Sequence, residues 1–211
     1  MKAFVLLIVA AVCFPPAAQA QTPGPFEAGV YTGATWLRFV GNIRRLEVDT
    51  RAQPAIMGRA ELGWLFGGNK AVIFSVSEAE PRISLIENKV RYAGDTMQIR
   101  PFSARLEYRF NHDWPWQPFL GAGIAYYRIR GNHVASSPSA AEVSLHTPRH
   151  AAAVVVAGLS RSLGSGWGLR AFAEYGPANS TAVTFTQAKP LDTLETDFHP
   201  LTLSFGITKR F

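Results

Sequence analysis

The chain has 211 residues, 47% of them hydrophobic and 12% aromatic, and a formal net charge of +6. That is the size of one domain. Past the N-terminal segment the longest apolar run, Ala151 to Leu159, is nine residues. A membrane helix needs about 20, so helices do not carry this chain through a bilayer.

Residues 1–20 read as a secretory signal peptide. Lys2 supplies the positive charge and Ala3 to Phe14 the apolar stretch. Pro15-Pro16 breaks that stretch, and Ala18-Gln19-Ala20 offers small residues for cleavage. The expected mature chain, residues 21–211, forms one domain that starts at Gln21. It loses Lys2 and keeps 20 basic against 15 acidic side chains, a net charge of about +5. Cys13, the only cysteine, leaves with the leader. The mature chain then has no disulfide framework, zinc–thiolate site or Cys nucleophile. Export, together with the absence of a basic helix, argues against nucleic acid as the partner behind the positive charge.

Period-two alternation predicts eight strands, at Glu27–Leu37, Ile56–Phe66, Lys70–Ala79, Phe102–Phe110, Phe119–Arg130, Ala151–Leu163, Gly168–Gly176 and Leu201–Phe211. Most approach the ~9–11 residues that cross a bilayer at a tilt. In the second strand Ile56, Gly58, Ala60, Leu62, Trp64 and Phe66 share one face, and Arg59 and Glu61 the other. In the fourth, Phe102, Ala104, Leu106, Tyr108 and Phe110 oppose Ser103, Arg105, Glu107 and Arg109. Charges in mid-strand are costly in a dry soluble core. In a membrane barrel they face inward and pair.

The final strand is the strongest signal. Leu201, Leu203, Phe205 and Ile207 alternate with Thr202, Ser204, Gly206 and Thr208, and the chain stops on Phe211. This is the pattern of a strand with one face to lipid and one to a polar interior. The connections alternate too. Gly67–Asn69, Asn111–Pro118 and Gly164–Trp167 are short, whereas 38–55, 80–101, 131–150 and 177–200 are long. Periplasmic turns and extracellular loops alternate in this way. Aromatics fall at both ends: Phe66, Phe110, Trp114, Trp116, Phe119, Trp167 and Phe211 near the short turns, and Trp36, Phe102, Tyr126 and Tyr175 near the long loops. Two girdles are expected of a barrel in a bilayer. The expected fold is all-β, an eight-stranded antiparallel transmembrane barrel in the bacterial outer membrane.

The run Gln117-Pro118-Phe119-Leu120-Gly121-Ala122-Gly123-Ile124-Ala125-Tyr126-Tyr127 resembles the fifth strand of small eight-stranded outer-membrane proteins. The ending Phe205-Gly206-Ile207-Thr208-Lys209-Arg210-Phe211 is similar to theirs as well. The resemblance covers mainly residues 100–211 and is to the OmpW family, with OmpA-like barrel domains behind it. An OmpW-like barrel implies a narrow conduit for small hydrophobic solutes. An OmpA-like one implies a structural or surface-interaction role without transport. The resemblance also implies that assembly machinery reads the terminal strand, with Phe205, Ile207 and Phe211 as the signal.

Three groups of residues are candidates for function. Arg59, Glu61, Arg105, Glu107, Arg109, Arg170 and Glu174 share the inward faces of three strands and are expected to form an ion-paired filling. Met57, Gly121, Gly123 and Tyr127 are expected to line the lumen. Arg38, Arg128, Arg130 and Arg149 fall at the long-loop ends with Arg82, Arg91 and Arg100. Lipopolysaccharide presents phosphates at that height, and Arg binds phosphate bidentately. No catalytic, cofactor or metal site is expected. Of the five histidines, His112, His133, His146, His150 and His199, only His146 and His150 are four apart, and Pro148 spoils a helix between them. A lipid A deacylase of the PagL type needs Ser and His close together on a strand. The stretch Phe172 to Ser180 has Glu174 and Ser180 but no His. The expected partners are outer-membrane lipid, lipopolysaccharide, the barrel-assembly machinery and small hydrophobic solutes, and the expected state is a monomer.

Overall fold

A computed structural model describes residues 24–43, 48–87, 89–110, 115–135, 143–145, 150–176, 178–187 and 189–211. The expected leader, residues 1–20, and His112, Trp114, His146 and Arg149 lie outside them. The strands are β1 (Phe26–Ile43), β2 (Val48–Ala52), β3 (Ala55–Phe66), β4 (Lys70–Ala79), β5 (Arg82–Glu87), β6 (Val90–Thr96), β7 (Gln98–Arg109), β8 (Gln117–Ala135), β9 (Val143–Leu145), β10 (His150–Gly164), β11 (Trp167–Tyr175), β12 (Ala178–Gln187) and β13 (Lys189–Arg210). Among the described residues no helix is long and apolar enough to cross a membrane.

Eight of these strands form a closed antiparallel barrel in the order β1, β3, β4, β7, β8, β10, β11, β13. The ring closes where β13 returns to β1, with Glu27 opposite Arg210 and the ladder running on to Val40 opposite Asp197. The Phe211 N–H donates to the Phe26 carbonyl at 2.9 Å and ties the last residue into the seam. Closure leaves no open edge in the ring, which open sheets must otherwise protect.

Alternation decides which way each side chain points. Leu62, Phe74 and Ile124 are 57–66% exposed on the outside of the ring. Their inward neighbours Glu61, Ile73 and Ala125 are buried. A continuous exposed apolar surface of this extent fits hydrocarbon rather than water. Trp36, Phe102, Tyr126 and Tyr175 face outward at one end, as expected. At the other end Phe110 and Phe211 do the same, but Phe119 is 1% exposed and points inward. It shares the inward parity of Ala125 and Tyr127 on β8 and so belongs to the interior, not to the girdle.

Two short hairpins show why glycine stands where it does. Ser165 and Gly166 both have positive φ (51° and 76°) in a two-residue loop closed by Gly164 opposite Trp167. This is the backbone of a type I′ turn. Gly67 and Gly68 take φ of 58° and 78° in the turn between β3 and β4.

The four long segments, expected as loops, are largely strand. β1, β8 and β13 run past the expected boundaries at Leu37, Arg130 and Leu201, and β2, β5, β6, β9 and β12 pair on top of them. Alternation disappears there, while the backbone ladder persists.

Candidate functional site

The inward charges of β1, β3, β7 and β11 meet in one network. At the short-turn end Arg109 donates from Nη1 and Nη2 to the two carboxylate oxygens of Glu27, at 3.0 and 2.8 Å. Arg170 donates to Glu27 at 3.3 Å and to both oxygens of Glu107 at 2.9 and 2.7 Å. Arg105 donates to Glu107 at 2.9 Å and to Glu61 at 2.7 Å. Arg59 lies 2.8 Å from Glu61 and donates to Glu174 at 2.7 Å. A second Arg59 bond, at 2.9 Å, reaches Ser75 Oγ, which lies 2.6 Å from Ser103 Oγ. All seven expected residues take part. The eighth is Glu27, buried on β1. Four arginines therefore face four glutamates, with no formal net charge.

Aromatic rings complete the filling. The Arg59, Arg105 and Arg170 guanidiniums lie 5.1, 5.4 and 5.9 Å from the centre of the Phe172 ring. Arg170 also lies 4.3 Å from the centre of the Phe119 ring. Tyr31 meets Phe172 edge-on at 5.3 Å. Cations over ring faces gain most where water is excluded. Sequence reasoning missed Glu27, Tyr31 and Phe172. Parity carried the signal for all three: Glu27 and Tyr31 share the face opposite Phe26, Ala28 and Val30, and Phe172 lies between Arg170 and Glu174 on their face.

Gly121 and Gly123 face this network. A Cβ at Gly123 would strike the Ala104 carbonyl and the Arg105 backbone, so the two strands can approach only because that position is glycine. Met57 and Tyr127 lie above the network. With Leu37, Ala79, Ile99 and Pro101 they line a cavity of about 20 Å3, mostly apolar, which Thr35, Ser77, Thr202 and Glu174 also line. That volume holds about one water. A wider polar cavity of about 280 Å3 opens at the short-turn end, with Arg109, Arg170 and Arg210 on its walls. The two cavities lie on opposite sides of the ion-paired layer.

One wall is paired unequally. The β8–β10 ladder runs from Ser160 opposite Gln117 up to His150 opposite Tyr127. The β10–β11 ladder stops at Val155 opposite Tyr175. Among the described residues, the outer part of β10 thus has no ladder partner on the β11 side. Gly176 lies there, and a Cβ on it would fall 2.6 Å from the Tyr127 hydroxyl and 2.9 Å from Val154 Cγ1. The seam adjoins the upper cavity.

The arginines expected at the long-strand end divide. Arg128 and Arg130 stand on β8 opposite Arg100 and Gln98. Arg38 lies on β1 opposite His199, with its side chain outside the described set. Phe205, Ile207 and Phe211 are exposed on the outer surface.

No protein-family model matches the chain, and no curated protein matches it. Solved structures do. The outer membrane protein OprG from Pseudomonas aeruginosa superposes with a TM-score of 0.71 at 10% identity, over 90% of this chain and 97% of OprG. The outer membrane protein AlkL, solved in lipid bilayers, gives 0.67 at 17% identity, over 94% and 95%. Neisserial surface protein A gives 0.59 at 14% identity, over 90% and 100%. The chain shares the eight-stranded barrel fold of these outer-membrane proteins.

Proposed function

We propose that this chain resides in the bacterial outer membrane and passes small apolar molecules through the outer half of its barrel, and that it has no enzymatic site. The short hairpins then face the periplasm and the prolonged strands the cell exterior. The observation that carries the reading is the combination of a sealed axis with an apolar pocket beside an incompletely paired seam. The Arg–Glu layer blocks ions and water along the axis. An apolar solute entering near Met57 and Tyr127 can leave sideways, between β10 and β11, into the bilayer. Glu174 is held by Arg59 at 2.7 Å, which suits a salt bridge better than acid–base catalysis.

A second reading, a structural or surface-interaction barrel without transport, is favoured by the small size of the upper cavity, about 20 Å3. Uptake of a small apolar fluorophore by cells separates the two. Transport predicts faster uptake with the wild type than without it, faster still with Tyr127→Ala, and none above background with Met57→Trp, which fills the pocket. Equal uptake in all four strains leaves the structural reading. Steady ion-selective currents in planar bilayers would refute both, because each requires a closed axis.

A further inference from the structure

Among the described residues the network above neutralises the buried arginines, whereas a second group of arginines faces outward with one carboxylate beside it. On the outer surface of β7 and β8, Arg100 stands directly opposite Arg128, and Gln98 opposite Arg130. The next rung down is Phe102 opposite Tyr126, both exposed on the same outward face. Like charges placed directly opposite each other on one face of a sheet are destabilising. One carboxylate meets the group among the described residues. Glu78 on β4 accepts from Gln98 at 2.6 Å and from Arg100 at 2.9 Å, and lies 2.8 Å from a second Arg100 nitrogen. Arg128 and Arg130 have no ion pair among the described residues. Among the described residues Glu78 thus pairs with Arg100 alone, which leaves two of the three guanidiniums without a carboxylate.

Their height is informative. Ten residues separate Arg100 from Phe110 at the opposite girdle. At about 3.3 Å per residue and a tilt of about 40°, that is roughly 25 Å along the barrel axis, the height of a lipid-facing apolar band. The arginines therefore sit just above hydrocarbon, where lipid headgroups lie.

We propose that Arg100, Arg128 and Arg130, flanked by Gln98, bind a phosphate of lipid A in the outer leaflet. The proposal rests on the outer-membrane reading. A phosphate between Arg100 and Arg128 turns their repulsion into two attractions, and each guanidinium fork can take two phosphate oxygens. Arg130, one rung higher, closes the upper side. The Phe102–Tyr126 rung supports the acyl chains below. Glu78 holds Arg100 in place from the flank.

The test uses the purified full-length protein in a neutral detergent. Its thermal midpoint is followed with bisphosphorylated lipid A, with the same lipid dephosphorylated, and with inorganic phosphate. Lipid A should raise the midpoint, and the other two should not. Arg128→Gln/Arg130→Gln should bind lipid A at least about tenfold more weakly. Arg128→Lys, which keeps the charge but loses the fork, should fall between. Arg161→Gln, at the opposite end, should bind as the wild type does. Equal protection by the dephosphorylated lipid would overturn the proposal in favour of the acyl chains. Equal protection by inorganic phosphate would reduce the site to a free-anion site. Unchanged lipid A binding by the double variant would remove the residues from it. Protein that binds lipid A in this way but fractionates away from the outer membrane would support the site and defeat the functional reading.

Discussion

Glu107→Ala tests the interior most directly. Glu107 is 0% exposed and accepts bonds from two strands, 2.9 Å from Arg105 and 2.9 and 2.7 Å from Arg170. Its removal leaves four buried arginines facing three carboxylates. Arg105 keeps Glu61 at 2.7 Å, but Arg170 keeps only Glu27 at 3.3 Å and Glu61 at 3.6 Å. Breaking a buried pair in this one-sided way costs about 3–5 kcal/mol. At about 1.4 kcal/mol per tenfold change, the folded-to-unfolded ratio falls by roughly two to three and a half orders of magnitude. Urea titration in lipid vesicles, read by tryptophan fluorescence, measures it. Removing both charges, as Glu107→Leu/Arg170→Met, should recover most of the loss, since an apolar replacement of a whole pair is often neutral. An unchanged midpoint for Glu107→Ala would refute the reasoning. A double variant no better than the single would show that shape, not charge, set the cost.

Two further outcomes follow from the outer surface. Leu106 is 54% exposed midway between Phe102 and Phe110, so Leu106→Arg should cost about 2–4 kcal/mol in the same vesicle titration. An unaffected midpoint would mean that this face never meets hydrocarbon. Deleting Phe211 removes an exposed aromatic and the 2.9 Å bond to the Phe26 carbonyl. The folded, heat-modifiable form should then drop severalfold in cell envelopes, and full recovery would show that Phe211 is not needed for assembly.

The parts of this architecture visible in the sequence are those that lipid imposes. Where one face of a strand meets hydrocarbon, every second residue must be apolar, so the faces of β3, β7 and β13 could be read directly. Pairing partners could not. Glu174 bonds Arg59 across 115 residues of sequence, and Arg170 bonds Glu107 across 63. Neither strand carries a mark of the other. Neighbours two residues apart on one strand pair as well, Arg59 with Glu61 and Arg105 with Glu107, both at 2.8 Å. Phe119 was assigned to the girdle by position along the chain, although its parity with Ala125 and Tyr127 already placed it inside. The outer half of β13, Lys189 to Pro200, shows no alternation, so nothing in it announced a strand.

The distribution of charge over the ring bears on how the barrel finds its register. Alternation fixes only parity. Any two neighbouring strands could slip by two residues and still turn every apolar side chain to the lipid. The ion pairs do not permit this. β3 and β11 each contribute one Arg and one Glu, whereas β7 contributes an excess Arg and β1 the single Glu27 that balances it. A slip of two residues moves a side chain along the strand by about 7 Å, far enough to part every bidentate contact that strand makes and leave guanidiniums without acceptors. The charged layer thus acts as a vernier: the greasy surface offers many equivalent alignments, and the filling selects one. The first strand, synthesised early, holds the last counter-charge, so the alignment can be verified only when the ring closes.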